Sequence, residues 1–140
     1  MNYEEFYYSI DCKFPYHDKD AWKKVINTSL TVGGDAPFLV LHEICRVPAS
    51  EKLEQNNHRE IYDYWKESFS HPVQSIVETA SLSYINKEEL SDERALDILE
   101  KLREYPKSYN AMKIILFACA NEDDLVEDKY DEIESEWSNI

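Results

Sequence analysis

His42 and Cys45 stand three residues apart in a helical stretch, a spacing that turns an imidazole and a thiol toward one point. No second ligand pair stands at metal-site spacing, so a buried thiol beside a polar ring is the simpler reading. His42-Glu43 opens like a zinc-protease motif, but position 46 is Arg where a second His is required. His58-Arg59-Glu60 opens like a deaminase signature and lacks the Pro-Cys-x-x-Cys partner. Gly33-Gly34 precedes a helix start, a place that can hold phosphate. No P-loop Lys-Ser/Thr follows, and a helix stop explains the glycines more cheaply. The acids after Asn121 lack the glycine and oxygen-ligand spacing of a calcium loop. Ser, Cys, His and Asp are all present, but no Gly-x-Ser-x-Gly frame exposes a nucleophile. The expectation is a protein without catalytic residues, metal or cofactor. An enzyme centred on His42, Cys45 or Cys119 is the least favoured class.

Charge is the stronger signal. Residues 122–136 carry nine carboxylates against Lys129 alone, more than half of the chain's net charge of −14. Spaced 100° apart on a helix, Val126, Tyr130, Ile133 and Trp137 make one stripe. Asp124, Glu127, Asp128, Asp131, Glu132 and Glu134 spread over the opposite arc. The segment reads as a docked amphipathic helix with an anionic outer face. This arrangement has a local cost. Asp123/Glu127, Asp124/Asp128, Glu127/Asp131, Asp128/Glu132 and Glu132/Glu136 are like-charge neighbours four apart. Together they oppose the helix by about 1–2 kcal/mol at low salt. A solvated acidic surface is the plain alternative. A concentrated anionic face, however, steers a basic partner, which dispersed charge does less well. Ten tyrosines and three tryptophans supply aromatic anchors. Trp22 and Trp65 fall on apolar stripes, whereas Tyr62, Tyr8 and Tyr109 read as less enclosed. The predicted partner-binding set is Asp124, Glu127, Asp128, Asp131, Glu132, Glu134, Tyr62 and Tyr109.

Helices must position these groups. Only two glycines occur, too few for the tight turns of a β-sandwich. One predicted helix starts at Asp18 or Asp20, carries Trp22, Val25, Ile26 and Leu30, and stops at Gly33-Gly34. Asp35 caps the next, which runs through Leu41 and Cys45 and stops before Pro48. Another begins at Asn57, with Glu60 completing a capping box. Its buried stripe is predicted as Ile61, Tyr64, Trp65, Ser68 and Phe69. Ser70 or His71 with Pro72 opens a helix whose buried stripe is predicted as Val73, Ile76, Val77, Ala80 and Tyr84. Ser91 opens one bearing Ala95, Ile98, Leu99 and Leu102. Ser108 opens the segment 109–120, apolar nearly all round and hence central. Asn121 caps the last, which reaches about Trp137. Residues 1–10 fit a helix better than a strand, with an extended stretch around Pro15. Pro37, Pro72 and Pro106 lie 35 and 34 residues apart, a faint repeat compatible with stacked helical hairpins. The predicted fold is all-α: a single compact helical domain, 1–140, of six to eight helices.

The 140 residues suit one domain, and 43% apolar content lets it bury roughly two thirds of its unfolded surface. The 29 acidic and 15 basic side chains argue against a general nucleic-acid binder and disfavour an anionic membrane. The acidic N-terminus lacks a signal peptide's basic start, and the longest apolar run, 114–120, is too short to span a bilayer. Three unclustered cysteines suggest reduced thiols and a cytoplasmic setting. The leading expectation is an acidic, non-catalytic protein that neutralises a basic protein partner. By analogy of class, an immunity-type inhibitor of a nuclease toxin fits. The alternative is a helical adaptor or assembly subunit that binds through a Tyr-rich or apolar face.

Overall fold

The computed structural model describes residues 1–11, 18–50, 55–119 and 124–140, with side chains at all of these except 11, 47–50, 55, 56 and 124. Among the described residues there are eight α-helices and no strand. They are α1 Tyr3–Asp11, α2 Lys19–Val32, α3 Ala36–Ser50, α4 Gln55–Ser68, α5 Pro72–Ile85, α6 Asp92–Leu102, α7 Tyr109–Ala118 and α8 Asp124–Ser138. The chain is therefore all-α, as its periodicity predicts. The helices group into two compact units, Met1–Ser70 and His71–Ile140.

In the first unit, α2, α3 and α4 pack against one another, and α1 lies on α2 and α3. The Asn2 side chain accepts the Glu5 N–H at 2.8 Å and starts α1. Phe6 and Ile10, one turn apart, bury themselves and fix the helical reading of this segment. The extended stretch expected around Pro15 lies outside the described residues. Asp18, rather than Asp20, caps α2 by accepting from Asp20 and Ala21. Gly33 (φ 78°) and Gly34 (φ 59°) then take the left-handed region that ends α2, and the Gly33 N–H closes onto the Ser29 carbonyl at 2.9 Å.

Two boundaries differ from the sequence expectation. Helix α3 does not stop before Pro48 but continues to Ser50. Helix α4 starts at Gln55, so Asn57 lies inside its first turn instead of capping it. Glu60 accordingly turns to α2, pairing with Lys19 at 3.0 Å and Lys23 at 3.8 Å. The centre of the unit is Trp65, 1% exposed, whose indole N–H donates to the Pro37 carbonyl at 2.8 Å. Phe38, Tyr62 and Phe69 surround it at ring separations of 5.9, 6.2 and 5.1 Å.

In the second unit, α7 touches α5, α6 and α8. Asn110, Ala111, Met112, Ile114, Ile115 and Ala118 are buried on it, which fulfils the expectation of a central helix. Lys113 and Phe117 nevertheless remain exposed, so one strip of α7 meets water. Ser108 makes no side-chain cap; its hydroxyl donates to the Tyr105 carbonyl at 2.7 Å. His71 caps α5 in a reciprocal capping box with Gln74, and Ser91 caps α6. The Leu90 N–H donates to the Ala118 carbonyl at 3.0 Å, tying the start of α6 to the end of α7. The predicted Asn121 cap of α8 lies outside the described residues.

Candidate functional site

Helix α8 is an ordered rod docked on α6 and α7. Val126, Ile133 and Trp137 are buried along one side of it, at the seven- and four-residue intervals that a helical stripe requires. Trp137 is the anchor. Its indole N–H donates to the Arg103 carbonyl at 3.2 Å, and its ring meets Tyr109 edge-on at 5.4 Å. The Arg103 carbonyl lies just past the C-terminus of α6, where the helix itself supplies no donor.

The outer face divides into two halves. Toward the C-terminus, Arg103 gathers three carboxylates. It bonds Glu100 at 2.6 Å, and its Nη2 and Nε stand 3.1 Å from Glu132 and Glu136 as ion pairs without hydrogen-bond alignment. Lys129 bonds Glu100 and reaches Glu132 at 4.0 Å. Its contact holds the Glu100 carboxyl below the usual carboxylate range, with Arg103 adding to the effect. The like-charge pair Glu132/Glu136 is thus stabilised by one guanidinium instead of repelling across a helical turn. Glu134 bonds the Tyr130 hydroxyl; burial first, then that carboxylate, pushes the Tyr130 phenol up to about 12.

Toward the N-terminus, Glu127, Asp128 and Asp131 are exposed, and none of them forms an ion pair among the described residues. Their positions fall within a 100° arc over little more than one turn. Asp124 falls in the same arc by position, but its side chain lies outside the described set. The carboxylates of α8 without an ion pair among the described residues are therefore fewer than the sequence suggests. Glu132 and Glu134 are engaged by Arg103, Lys129 and Tyr130.

Of the aromatic candidates, Tyr62 is a correction. It is 2% exposed, stacked beside Trp65. Because α4 packs on both α2 and α3, its buried arc takes in His58, Ile61, Tyr62 and Trp65, wider than a single stripe. Tyr109 is half-buried against Trp137 and supports α8 from beneath. Tyr8, by contrast, is 59% exposed on α1, beside exposed Tyr3 and Tyr7.

The chemical candidates do not assemble. Cys45 is completely buried, and burial pushes its thiol well above the ordinary range. His42 lies 3.9 Å from Glu43, whose other partner is Arg46 at 2.9 Å. No cluster of three or more His, Cys, Asp or Glu that could hold a metal occurs among the described residues. Neither Cys45 nor Cys119 forms a disulfide. A water-soluble maleimide is expected to leave Cys45 unmodified in the native protein and to label it only after unfolding. Peptide mass mapping reads this, and native labelling within minutes would show that the α3 core opens readily.

No helix among the described residues is long and apolar enough to cross a membrane. Comparison with protein-family models, curated proteins and solved structures finds no match.

Proposed function

We propose that this chain is a non-catalytic binding protein that neutralises a basic protein partner by covering its cationic surface with the N-terminal half of α8. The observation behind this reading is that Val126, Ile133 and Trp137 fix α8 in place while Glu127, Asp128 and Asp131 face water with no internal cation among the described residues. Unpaired carboxylates on a fixed scaffold lose little freedom on binding and project a field that accelerates encounter. A nuclease toxin has a cationic cleft shaped for phosphate, so an immunity-type inhibitor acting by occlusion in the cytoplasm fits this chemistry. The net charge of −14 makes direct binding of nucleic acid or an anionic membrane unfavourable.

The experiment compares capture from native lysate by the wild-type chain and by the triple variant Glu127→Gln, Asp128→Asn, Asp131→Asn. A basic protein held at low salt, released at high salt and depleted about tenfold or more with the variant is the expected result. Equal capture by both baits would overturn it.

The exposed Tyr3, Tyr7 and Tyr8 of α1 favour a second reading, an adaptor that binds through an aromatic face. Its sign is capture that resists salt, survives the triple variant and is lost with Tyr8→Ser.

A further inference from the structure

The continuation of α3 through Pro48 poses a hydrogen-bonding problem. In an α-helix the Ile44 carbonyl accepts from the N–H four residues on, and that residue is Pro48, which has none. A buried carbonyl left without a donor is costly. The donor comes from α4: His58 Nε2 lies 2.6 Å from the Ile44 oxygen, and the ring is only 3% exposed. A carbonyl can only accept, so Nε2 carries the proton and the neutral ring holds its other proton site, Nδ1, empty. One imidazole thereby completes α3 and fastens it to α4.

We propose that His58 is an acid-sensitive latch of the first unit: neutral and buried, it stands in for the amide that Pro48 lacks, and because a charged ring is better solvated outside the closed contact than in it, acid favours the opened α3–α4 contact over the latched one.

Among the described residues, the surroundings offer a positive charge on the ring little compensation. On α3, Glu43 is taken by Arg46, Cys45 is a buried thiol, and His42 sits beside Glu43. On α2, Lys19 and Lys23 hold Glu60 of α4. On α4 itself, Arg59 pairs with Asp63 at 3.5 Å. His58 also lies in the first turn of α4, where the helix dipole opposes a cation. Burial lowers the His58 pKa, and the bond to the Ile44 carbonyl only partly offsets this. The sign follows. The folded value lies below the ordinary 6.5, so the latch is fully effective above 6.5 and weakens as pH falls below it toward the folded value.

Hydrogen exchange of the full chain, corrected for intrinsic rates and measured between about pH 7 and about pH 5, tests this. In that window one proton taken up on opening raises the opening constant by up to about tenfold per pH unit. The rise is expected in α3 and α4 and not in α7. His58→Gln keeps an N–H for Ile44 and does not titrate, so its profile is expected to be flat. His58→Phe is expected to be looser at every pH. Pro48→Ala restores the helical amide and is expected to remove most of the effect of His58→Phe. A wild-type profile that is flat, or that rises equally in α7, would overturn the latch. So would a His58→Gln profile parallel to wild type, or a His58→Phe effect undiminished by Pro48→Ala. His42→Gln serves as the histidine control and is expected to keep the wild-type profile; loss of the rise in that variant would reassign it to His42.

Discussion

Trp65→Ala is expected to cost the first unit about 3–5 kcal/mol, the range for removing a fully buried aromatic side chain. The indole fills the space among Phe38, Tyr62 and Phe69 and also gives its N–H to the Pro37 carbonyl. Alanine leaves both a cavity and a weakened tie between α4 and the first turn of α3. Domains of this size have only about 5–15 kcal/mol of stability in total. A large drop in the urea midpoint should follow, together with loss of amide protection in α2, α3 and α4. Trp65→Phe keeps most of the volume but not the donor and should cost less. A change below about 1 kcal/mol for the alanine variant would mean that the aromatic cluster does not organise the unit.

Trp137→Ala is the second large effect, again about 3–5 kcal/mol by the same cavity argument. It removes the anchor that joins α8 to the end of α6 and to Tyr109. The consequence reaches further than stability. Every carboxylate of α8 remains, so the charge of the molecule is unchanged, while the scaffold presenting them is loosened. Amide exchange in α8 is expected to accelerate more than in α5 or α7. Partner capture should fall even though no acidic residue has been touched. Capture at the wild-type level with a frayed α8 would show that charge alone, without a fixed helix, is what the partner reads.

Much of this architecture was legible in the residues. Gly33-Gly34, His71-Pro72 and Ser91 punctuate the chain where backbone chemistry demands it, and the structure stops or starts helices there. The stripe of Val126, Ile133 and Trp137 was visible because its spacing is helical and its neighbours are charged. Pro48 misled, since local chemistry argues for a stop and the compensating donor, His58, comes from another helix. Such a rescue is a tertiary event that periodicity cannot register. Tyr62 misled for a related reason. A helix gripped from two sides buries a wider arc than an amphipathic stripe implies, and the number of neighbours is not written in its own sequence.

The acidic face shows the same division. Its existence and direction follow from spacing along one helix. Which carboxylates remain open depends on Arg103, nearly thirty positions from the nearest acid it holds across the fold, and on the reach of its guanidinium. Sequence therefore marks the face, and packing selects Glu127, Asp128 and Asp131 within it. A basic residue beside a helix end, four-residue carboxylate pairs and a tryptophan stripe together carry a weak signal for such a clamp. None of them separately distinguishes it from ordinary surface charge.

The most direct measurement is the association rate of the captured partner as a function of ionic strength, for the wild-type chain and for the Glu127→Gln, Asp128→Asn, Asp131→Asn variant. Steering by the α8 face requires a steep fall with salt in the wild type, and a slower, flatter profile in the variant. Two profiles of equal slope and equal rate would contradict it, because the open carboxylates would then have no part in bringing the partner in.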